Sequence, residues 1–181
     1  QENKLVFMKG SVAVFDLSIT SCEQIELEAR HRITRANWMR RIHSPGSVLV
    51  KGPVSGGAEI LVCNNYRKRV TAHRIGRDGR ISNRVALSLG LDVPDGIACT
   101  PDGRWLAISD HFTNSALIYD CQGRLTPRTA PVGRLTGMAY PHGLRFSPDG
   151  RYAFVAYAGA PVLHVFRSDT GQWMGDHAPL R

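Results

Sequence analysis

The fold of this chain is decided by a segment that occurs twice, first as Pro94-Asp-Gly-Ile-Ala-Cys-Thr-Pro-Asp-Gly-Arg104 and again as Pro141-His-Gly-Leu-Arg-Phe-Ser-Pro-Asp-Gly-Arg151. The two copies share Pro, Gly, Pro, Asp, Gly and Arg at a constant offset of 47 residues, and the match continues without a gap into Trp105 and Tyr152. A gapless repeat with this period is typical of architectures that use one supersecondary unit several times.

Each copy of the repeat has the pattern of a meander of short strands. In the first copy an apolar run ends at Pro101-Asp-Gly103, and Gln122-Gly123 marks a later turn. Residues of these types connect antiparallel neighbours. We therefore expect strands at residues 97–100, 105–110 and 116–120, followed by an outer strand at 125–129.

The same pattern extends to the rest of the chain. The following unit predicts strands at residues 144–147, 152–157 and 162–167, and the preceding unit predicts them at 47–51, 59–64, 69–75 and 81–87. Before these, residues 4–8, 11–17 and 24–29 resemble the last three strands of a further unit. Residues 31–43 fit a short helix, because apolar residues recur there at every third position.

Repeated four-stranded antiparallel units are the blades of a β-propeller. A β-sandwich is the rival fold, but it has no reason to repeat Pro-Asp-Gly-Arg in one strand register. We predict an all-β chain that forms one partial propeller over residues 1–181, with blades at about 1–30 (incomplete), 47–90, 94–135 and 141–181. Since propellers close with about 4 to 8 blades, we expect these to belong to a six- or seven-bladed ring, completed by further blades or by self-association.

Composition narrows the classes of partner. The 181 residues carry a formal charge of +8, but the densest basic cluster, at residues 30–41, contains a single aromatic residue, Trp38. Nucleic-acid binding needs basic patches combined with exposed aromatics or a recognition element, so we expect a solvated basic loop. No apolar stretch approaches the roughly 18 residues of a transmembrane helix. The sequence carries no motif that indicates a compartment.

The four cysteines, Cys22, Cys63, Cys99 and Cys121, show no C-x-x-C spacing and no paired Cys/His spacing. This pattern disfavours a structural zinc site, and the lack of C-x-x-C-H removes support for a haem-linked propeller. Cys99 and Cys121 lie on strands two spacings apart, or about 9 to 10 Å, which exceeds the roughly 7 Å limit for a disulfide. We expect the thiols on strands to be small buried core residues.

The meander predicts where polar side chains collect. The loop that enters the first strand and the loop between the second and third strands lie at one end of each blade, where a propeller's channel opens. This places Asp95 and His142 at equivalent positions around the channel mouth, with the segment 43–46 at the corresponding place one blade earlier. The ends of the second strands add the remaining candidates, which are Asn64, Asn65, Asp110, His111 and Tyr157. By contrast, Asp102 and Asp149 belong to the repeated turn and are excluded from the site.

These residue types suit metal binding or acid–base chemistry. Aspartate and asparagine oxygens suit Ca²⁺ or Mg²⁺, the ions we expect first, whereas His111 and His142 together with Asp95 better suit a transition metal such as Zn²⁺. A metal there can polarise a carbonyl while a histidine moves the proton. The alternative is that the same residues are turn and cap formers with no ligand.

The stretch from Val93 to Asp110 resembles the blades of the gluconolactonase and senescence-marker-protein family, and equally those of the seven-bladed lactonase family. In gluconolactonase-like enzymes an Asn in one Pro-Asn-Gly, an Asp in the next Pro-Asp-Gly and an N-terminal Glu bind a divalent metal. Asp95 matches the Asp, whereas Pro45 stands where the Asn would be. His142 is similar to the histidines at the channel mouth of virginiamycin-lyase-like propellers, which leaves lyase chemistry open.

The resemblance implies metal-assisted hydrolysis of a small cyclic ester or sugar lactone. In this hypothesis Asp95 is a metal ligand, His142 is a ligand or general base and His111 is a second catalytic histidine. Asn64, Asn65, Asp110 and Tyr157 would contact the substrate. The alternative is a non-catalytic propeller that binds a protein or glycan partner through its top face or its rim, since one fold hosts many functions.

Overall fold

The structure is a computed structural model that describes residues 11–15, 29–33, 42–52, 57–76 and 80–180. These residues form strands joined by turns, with a single 3₁₀ turn at Asn65–Arg67. None of the described residues belongs to a helix with the length and apolar character that a membrane span requires. The strands are β1 (Val12–Phe15), β2 (Ala29–Ile33), β3 (Pro45–Lys51), β4 (Glu59–Asn64), β5 (Arg69–Ile75), β6 (Ile81–Leu87), β7 (Pro94–Cys99), β8 (Trp105–Asp110), β9 (Ser115–Asp120), β10 (Gly133–Leu135), β11 (Pro141–Phe146), β12 (Tyr152–Tyr157), β13 (Leu163–Arg167) and β14 (Gly175–His177).

The strands form successive antiparallel meanders. We call the strands β3–β6 blade 2, the strands β7–β10 blade 3 and the strands β11–β13 blade 4, with the pair β1–β2 preceding them. The first strand of each blade is the innermost, because β3 packs against β7 and β7 packs against β11. This radial arrangement confirms the predicted all-β fold, a partial β-propeller.

Two apolar cores hold neighbouring blades together. Along β8, Leu106 and Ile108 face blade 2, whereas Trp105 and Ala107 face blade 4, and all four side chains are buried. This alternation follows from the two-residue period of a strand. Because both faces are covered, the strand is apolar throughout its middle, as expected of a sheet that is packed on both sides.

Each inner strand begins in the same way. Pro45 is paired with Asn64, Pro94 with Asp110 and Pro141 with Tyr157, and an irregularity in register follows each proline. The residue after each second strand also donates its backbone N–H to the residue before the proline, in the three pairs Asn65–Ser44, His111–Val93 and Ala158–Tyr140. The repeat is therefore structural, and it brings the entry loop and the loop between the second and third strands to one end, which we call the mouth end.

The opposite end, which we call the turn end, carries the repeated Pro-Asp-Gly turns. The Asp102 carboxylate accepts hydrogen bonds from the Thr100 hydroxyl and the backbone N–H of Arg104, at 2.5 and 3.0 Å. Asp149 makes the equivalent bonds with Ser147 and Arg151 in the next unit. The same contacts lower the pKa of both carboxyls from the ordinary value. The geometry confirms that these aspartates are turn residues.

Several predictions about individual elements were wrong. Residues 125–129 form no strand, because Pro127 lacks an N–H and its carbonyl instead accepts bonds from Ser88 and Leu89 of blade 2. The outer strand of blade 3 is β10, and β14 extends the same sheet by pairing parallel to β10. Blade 4 consequently has three strands in its own sheet, so the four-strand rule is met by blade 2 but not by blade 4.

Near the start of the chain, the predicted helix at residues 31–43 is wrong at both of its described ends, because β2 continues to Ile33 and residues 42 and 43 belong to no helix. The rest of that helix up to residue 41, and the predicted strands at 4–8 and 24–28, lie outside the described residues. The prediction of buried thiols holds for Cys63, whereas Cys99 and Cys121 are partly exposed. None of these three described cysteines is in a disulfide, as predicted.

Candidate functional site

The mouth end brings Asp95 of blade 3 into direct contact with His142 of blade 4. Asp95 Oδ2 lies 2.5 Å from His142 Nδ1, and the two side chains are 19% and 46% exposed. A carboxylate that accepts the Nδ1–H of an imidazole assigns the tautomer and leaves Nε2 as a proton acceptor. The predicted convergence of these two residues is confirmed.

His111 completes a cluster of three titratable side chains. Its ring packs edge-to-face on the ring of His142, with 4.3 Å between the centroids and an interplanar angle of 78°. One ligand atom from each of Asp95, His111 and His142 lies within 4.8 Å of the others. Two imidazole nitrogens and one carboxylate oxygen form a donor set that suits transition metals and leaves coordination positions open.

Asn65 holds the other oxygen of Asp95. Its Nδ2–H donates to Asp95 Oδ1 at 3.0 Å, and its own buried Oδ1 has no hydrogen-bond partner among the described residues. Gly46 provides the space for this contact, since a Cβ at that position would lie 2.8 Å from Asn65 Oδ1 and closer still to Asp95 Oδ1. The site therefore contains an unsatisfied acceptor beside the carboxylate.

The register also corrects one sequence assignment. Pro45 is the structural equivalent of Pro94 and Pro141, because each of these prolines pairs with the end of its second strand. Gly46, not Pro45, is therefore the counterpart of Asp95 and His142. At this position blade 2 offers no side chain, and it contributes Asn65 from its next loop instead.

The contact between blades 3 and 4 at Gly96, Ser109 and His142, which we call the seam, positions His142 against Asp95. Ser109 of β8 accepts a hydrogen bond from the Gly96 N–H at 2.7 Å and donates its hydroxyl to the carbonyl of His142. A Cβ on Gly96 would overlap that carbonyl and lie 2.7 Å from Ser109 Oγ. The glycine of the repeated Pro-Asp-Gly thus permits the close approach of the two inner strands, and the serine fixes it.

Three of the predicted substrate-contacting residues make structural contacts. Asp110 is fully buried, and its carboxylate accepts the backbone N–H groups of Asp92, Val93 and Thr113. Asn64 is also fully buried, and it bonds to Val62, Thr71 and the N–H of His43. The Tyr157 hydroxyl lies 3.0 Å from His164 Nε2. Substrate contact by these three residues stays a prediction.

Two exposed aromatic residues flank His111. The Phe112 ring lies 6.2 Å from the His111 ring and the Tyr140 ring lies 5.4 Å from it, and the two side chains are 61% and 47% exposed. Tyr140 adopts a left-handed backbone, with φ of 54°, and its N–H is held by the side chain of Asn114 at 2.9 Å. Backbone conformations of this kind in bulky residues often occur at functional sites.

Sequence reasoning did not single out Ser109, Gly46 or the two aromatic residues. For Gly46 a signal existed, because aligning Pro45 with Pro94 would have identified it. For Ser109 the sequence held no signal, because a serine inside a buried strand does not by itself indicate a hydrogen bond to the neighbouring blade. Phe112 and Tyr140 lie in loops whose course depends on packing that the sequence does not express.

No protein-family model matches the chain, and no curated protein matches it. Its structure is similar to a proposed 6-phosphogluconolactonase from Bacteroides fragilis, with a TM-score of 0.63, 17% identity, and coverage of 97% of this chain and 51% of that one. A proposed 6-phosphogluconolactonase from Bacteroides uniformis gives a TM-score of 0.59 at 16% identity, covering 86% of this chain and 45% of that one.

Hydrazine synthase from Kuenenia stuttgartiensis is similar at a TM-score of 0.53 and 21% identity, over 76% of this chain and 35% of that one. The chain thus spans between about a third and a half of the length of the structures that it matches. At these identities the likeness is one of architecture. What these proteins and this chain demonstrably have in common is the fold.

Proposed function

We propose that the mouth end hydrolyses a small cyclic ester, with a sugar lactone as the first candidate substrate. The observation that carries this proposal is the hydrogen-bonded pair of Asp95 and His142, half-exposed and packed against His111. Such a pair has the arrangement of a histidine general base that is oriented by a carboxylate. The lactonase names of two proteins with the same fold support this choice of substrate class.

In this proposal His142 moves the proton. Its Nε2 accepts a proton from a water molecule as the water oxygen bonds to the lactone carbonyl carbon. The ring C–O bond then breaks, and the same proton passes to the departing alkoxide oxygen, which gives the open hydroxy acid. Asp95 holds the ring in place through Nδ1–H and stabilises the imidazolium that forms.

The donor set fits a divalent ion as well. Asp95, His111 and His142 would hold it, in which case His142 is a ligand and not the general base, and the unpartnered oxygen of Asn65 lies beside the same carboxylate. Because two of the three donors are imidazoles, we propose Zn²⁺ or a similar transition ion in preference to Ca²⁺ or Mg²⁺, which favour oxygen ligands. When bound, such an ion supplies Lewis-acid polarisation of a carbonyl oxygen.

The test is hydrolysis of gluconolactone and of its phosphate ester by the 181-residue chain, with and without chelator. General bases contribute about 10²- to 10⁴-fold to rate, so we expect Asp95→Asn and His142→Gln to lose at least about a hundredfold in kcat/KM. Asp149→Asn and His177→Gln are matched controls outside the site and should retain the rate. Equal rates for the wild type, the chelated protein and Asp95→Asn would contradict the proposal.

The exposed aromatic pair supports the second candidate function, a non-catalytic glycan-binding mouth. Phe112 and Tyr140 offer apolar faces beside polar groups, an arrangement that suits the apolar face of a sugar ring. Calorimetry with sugar acids distinguishes the two cases. Binding that is lost in a Tyr140→Ala variant, with no turnover of any lactone by the wild type, would favour the binding module over the enzyme.

A further inference from the structure

A second concavity lies between blades 2 and 3 at the turn end, away from the site described above. Lys51 ends β3, Glu59 begins β4 and Cys121 follows the last residue of β9, so all three lie opposite the mouth. The cleft has a volume of about 660 Å³, within the range of small-molecule sites. The charged or nucleophilic side chains that line it are Lys51, Glu59, Arg74, Arg84, Arg124 and Cys121.

The lining is strongly cationic. Glu59 is the one carboxylate among the described lining residues, and it is paired with Arg84 at 2.8 Å. Arg84 also donates to the carbonyl of Leu125 at 2.7 Å, which links the walls from the two blades. Lys51, Arg74 and Arg124 then leave an excess of positive charge in a solvent-open cleft. A cleft of one charge sign attracts ions of the opposite sign.

Cys121 forms part of this cationic wall. It lines the cleft together with Lys51, which ends β3, and Cys99 ends β7 at the same end of the blade. The neighbouring Cys99 and then Lys51 lower the pKa of Cys121 to about 7, against opposing effects of burial and of Asp120. The interaction with Cys121 and then burial raise the pKa of Cys99. Partly exposed cysteines in positive surroundings are the reactive ones.

We infer that Cys121 is a nucleophilic thiol that exchanges with small anionic disulfides seated by the cations of this cleft. The Cys121 thiolate attacks one sulfur of the incoming disulfide, the old S–S bond breaks, and its other half leaves as a thiolate. A mixed disulfide remains on Cys121, and a second thiol from solution reverses it. Atoms and electrons balance without a further oxidant.

The geometry favours an external partner over a bond between Cys99 and Cys121. The two residues belong to strands on either side of β8, so two strand spacings, about 9 to 10 Å, separate their backbones. A disulfide needs Cα atoms within about 7 Å. We therefore expect a thiol from solution, and not Cys99, to resolve the mixed disulfide.

The expected rate follows from ionisation. At neutral pH a thiol with a pKa of about 7 is roughly half ionised, against roughly one per cent for the ordinary value of 9.0. The lower basicity reduces the intrinsic nucleophilicity of the thiolate, with a Brønsted slope of about 0.4 to 0.5. The net gain is about five- to eightfold over an ordinary thiol of equal access.

The experiment follows thiolate release from the dianionic disulfide dithiobis(nitrobenzoate) and from the neutral dithiodipyridine, using the 181-residue chain with Cys22→Ser. We expect one fast thiol, identified as Cys121 by mass spectrometry, whose rate rises with a midpoint near pH 7. Cys121→Ser should abolish it, whereas Cys63→Ser should not. Lys51→Met should move the midpoint upward, and Arg124→Ser should slow the anionic reagent more than the neutral one.

Circular dichroism of each variant shows whether it is folded. If a folded wild type shows no fast thiol, or if its rate rises only near the ordinary pKa, the reactive-thiol inference is overturned. A fast Cys121 whose preference between the two reagents does not change in Arg124→Ser or in Arg74→Ser overturns the assignment of the cleft to anions. Lactone hydrolysis at the mouth end is measured separately, and neither result decides the other.

Discussion

His73 should make the stability of this chain fall on mild acidification. The side chain lies on β5 and is 1% exposed, with its Nε2 2.9 Å from the Thr71 hydroxyl oxygen and its Nδ1 without a hydrogen-bond partner among the described residues. Burial lowers the pKa of His73 to about 4 from 6.5. The unfolded chain therefore binds a proton between these two values that the folded chain does not bind.

The sign and size of this pH effect on stability follow from the linkage between proton binding and unfolding. Stability contributed by neutral His73 is fully present above pH 6.5 and is lost as the pH falls toward 4. Between pH 7 and pH 5 the wild type should lose about 2 kcal/mol of unfolding free energy to this residue. His73→Gln keeps a polar group beside Thr71 but does not titrate. Between pH 7 and pH 5 the variant should therefore lose about 2 kcal/mol less unfolding free energy than the wild type.

Urea unfolding at the two pH values, followed by tryptophan fluorescence, measures the difference. The m-values must agree between the two proteins, so that the comparison reports stability and not a change in the unfolded state. If the wild type and His73→Gln lose the same free energy between pH 7 and pH 5, the buried neutral histidine is not responsible and the reasoning is refuted.

Three further predictions concern the seam, the mouth and the turns. Gly96→Ala forces a Cβ onto the His142 carbonyl and should destabilise the chain by about 1 to 3 kcal/mol, measured by urea unfolding; an unchanged midpoint would contradict the tight seam. Gly46→Ala crowds Asp95 and Asn65 and should weaken Zn²⁺ retention in equilibrium dialysis while leaving the circular dichroism spectrum unchanged; equal retention would argue against this geometry. Asp102→Asn removes a carboxylate whose pKa is lowered chiefly by Thr100. As the pH drops below 3.8, the thermal midpoint of the wild type should therefore fall more steeply than that of the variant. Parallel curves would contradict a stabilising role for the ionised carboxylate.

Much of the architecture was predictable because the repeated residues determine the backbone conformation locally. A Pro-x-Gly entry and a Pro-Asp-Gly turn each require particular backbone conformations, so they mark the two ends of a blade wherever they occur. With both ends known, side chains at equivalent positions at the start of neighbouring inner strands are expected to lie close together, because these strands pack against each other. Asp95 and His142 could therefore be paired from the sequence.

The remaining features depend on tertiary contacts that no local pattern encodes. The segment around Pro127 has strand-like neighbours, but its carbonyl is used by blade 2, so it cannot form the outer strand. Likewise, nothing near Cys121 in the sequence indicates Lys51, which lies seventy residues away on the neighbouring blade. Asp110 was a reasonable site candidate, yet its carboxylate binds the backbone of its own loop.

The position of β14 has a consequence for how this chain comes apart. By sequence β14 belongs to the last unit, but by hydrogen bonding it belongs to the sheet before it, and the residues beyond it return to blade 4, where the Leu180 N–H donates to Val165. The C-terminal segment from β14 to Leu180 therefore makes hydrogen bonds to both blade 3 and blade 4. Blade 4 cannot unfold alone, because its unfolding also breaks the pairing of β14 with β10 at the outer edge of blade 3. We therefore expect the amide protons of β10 and β13 to exchange with solvent together, as one cooperative unit.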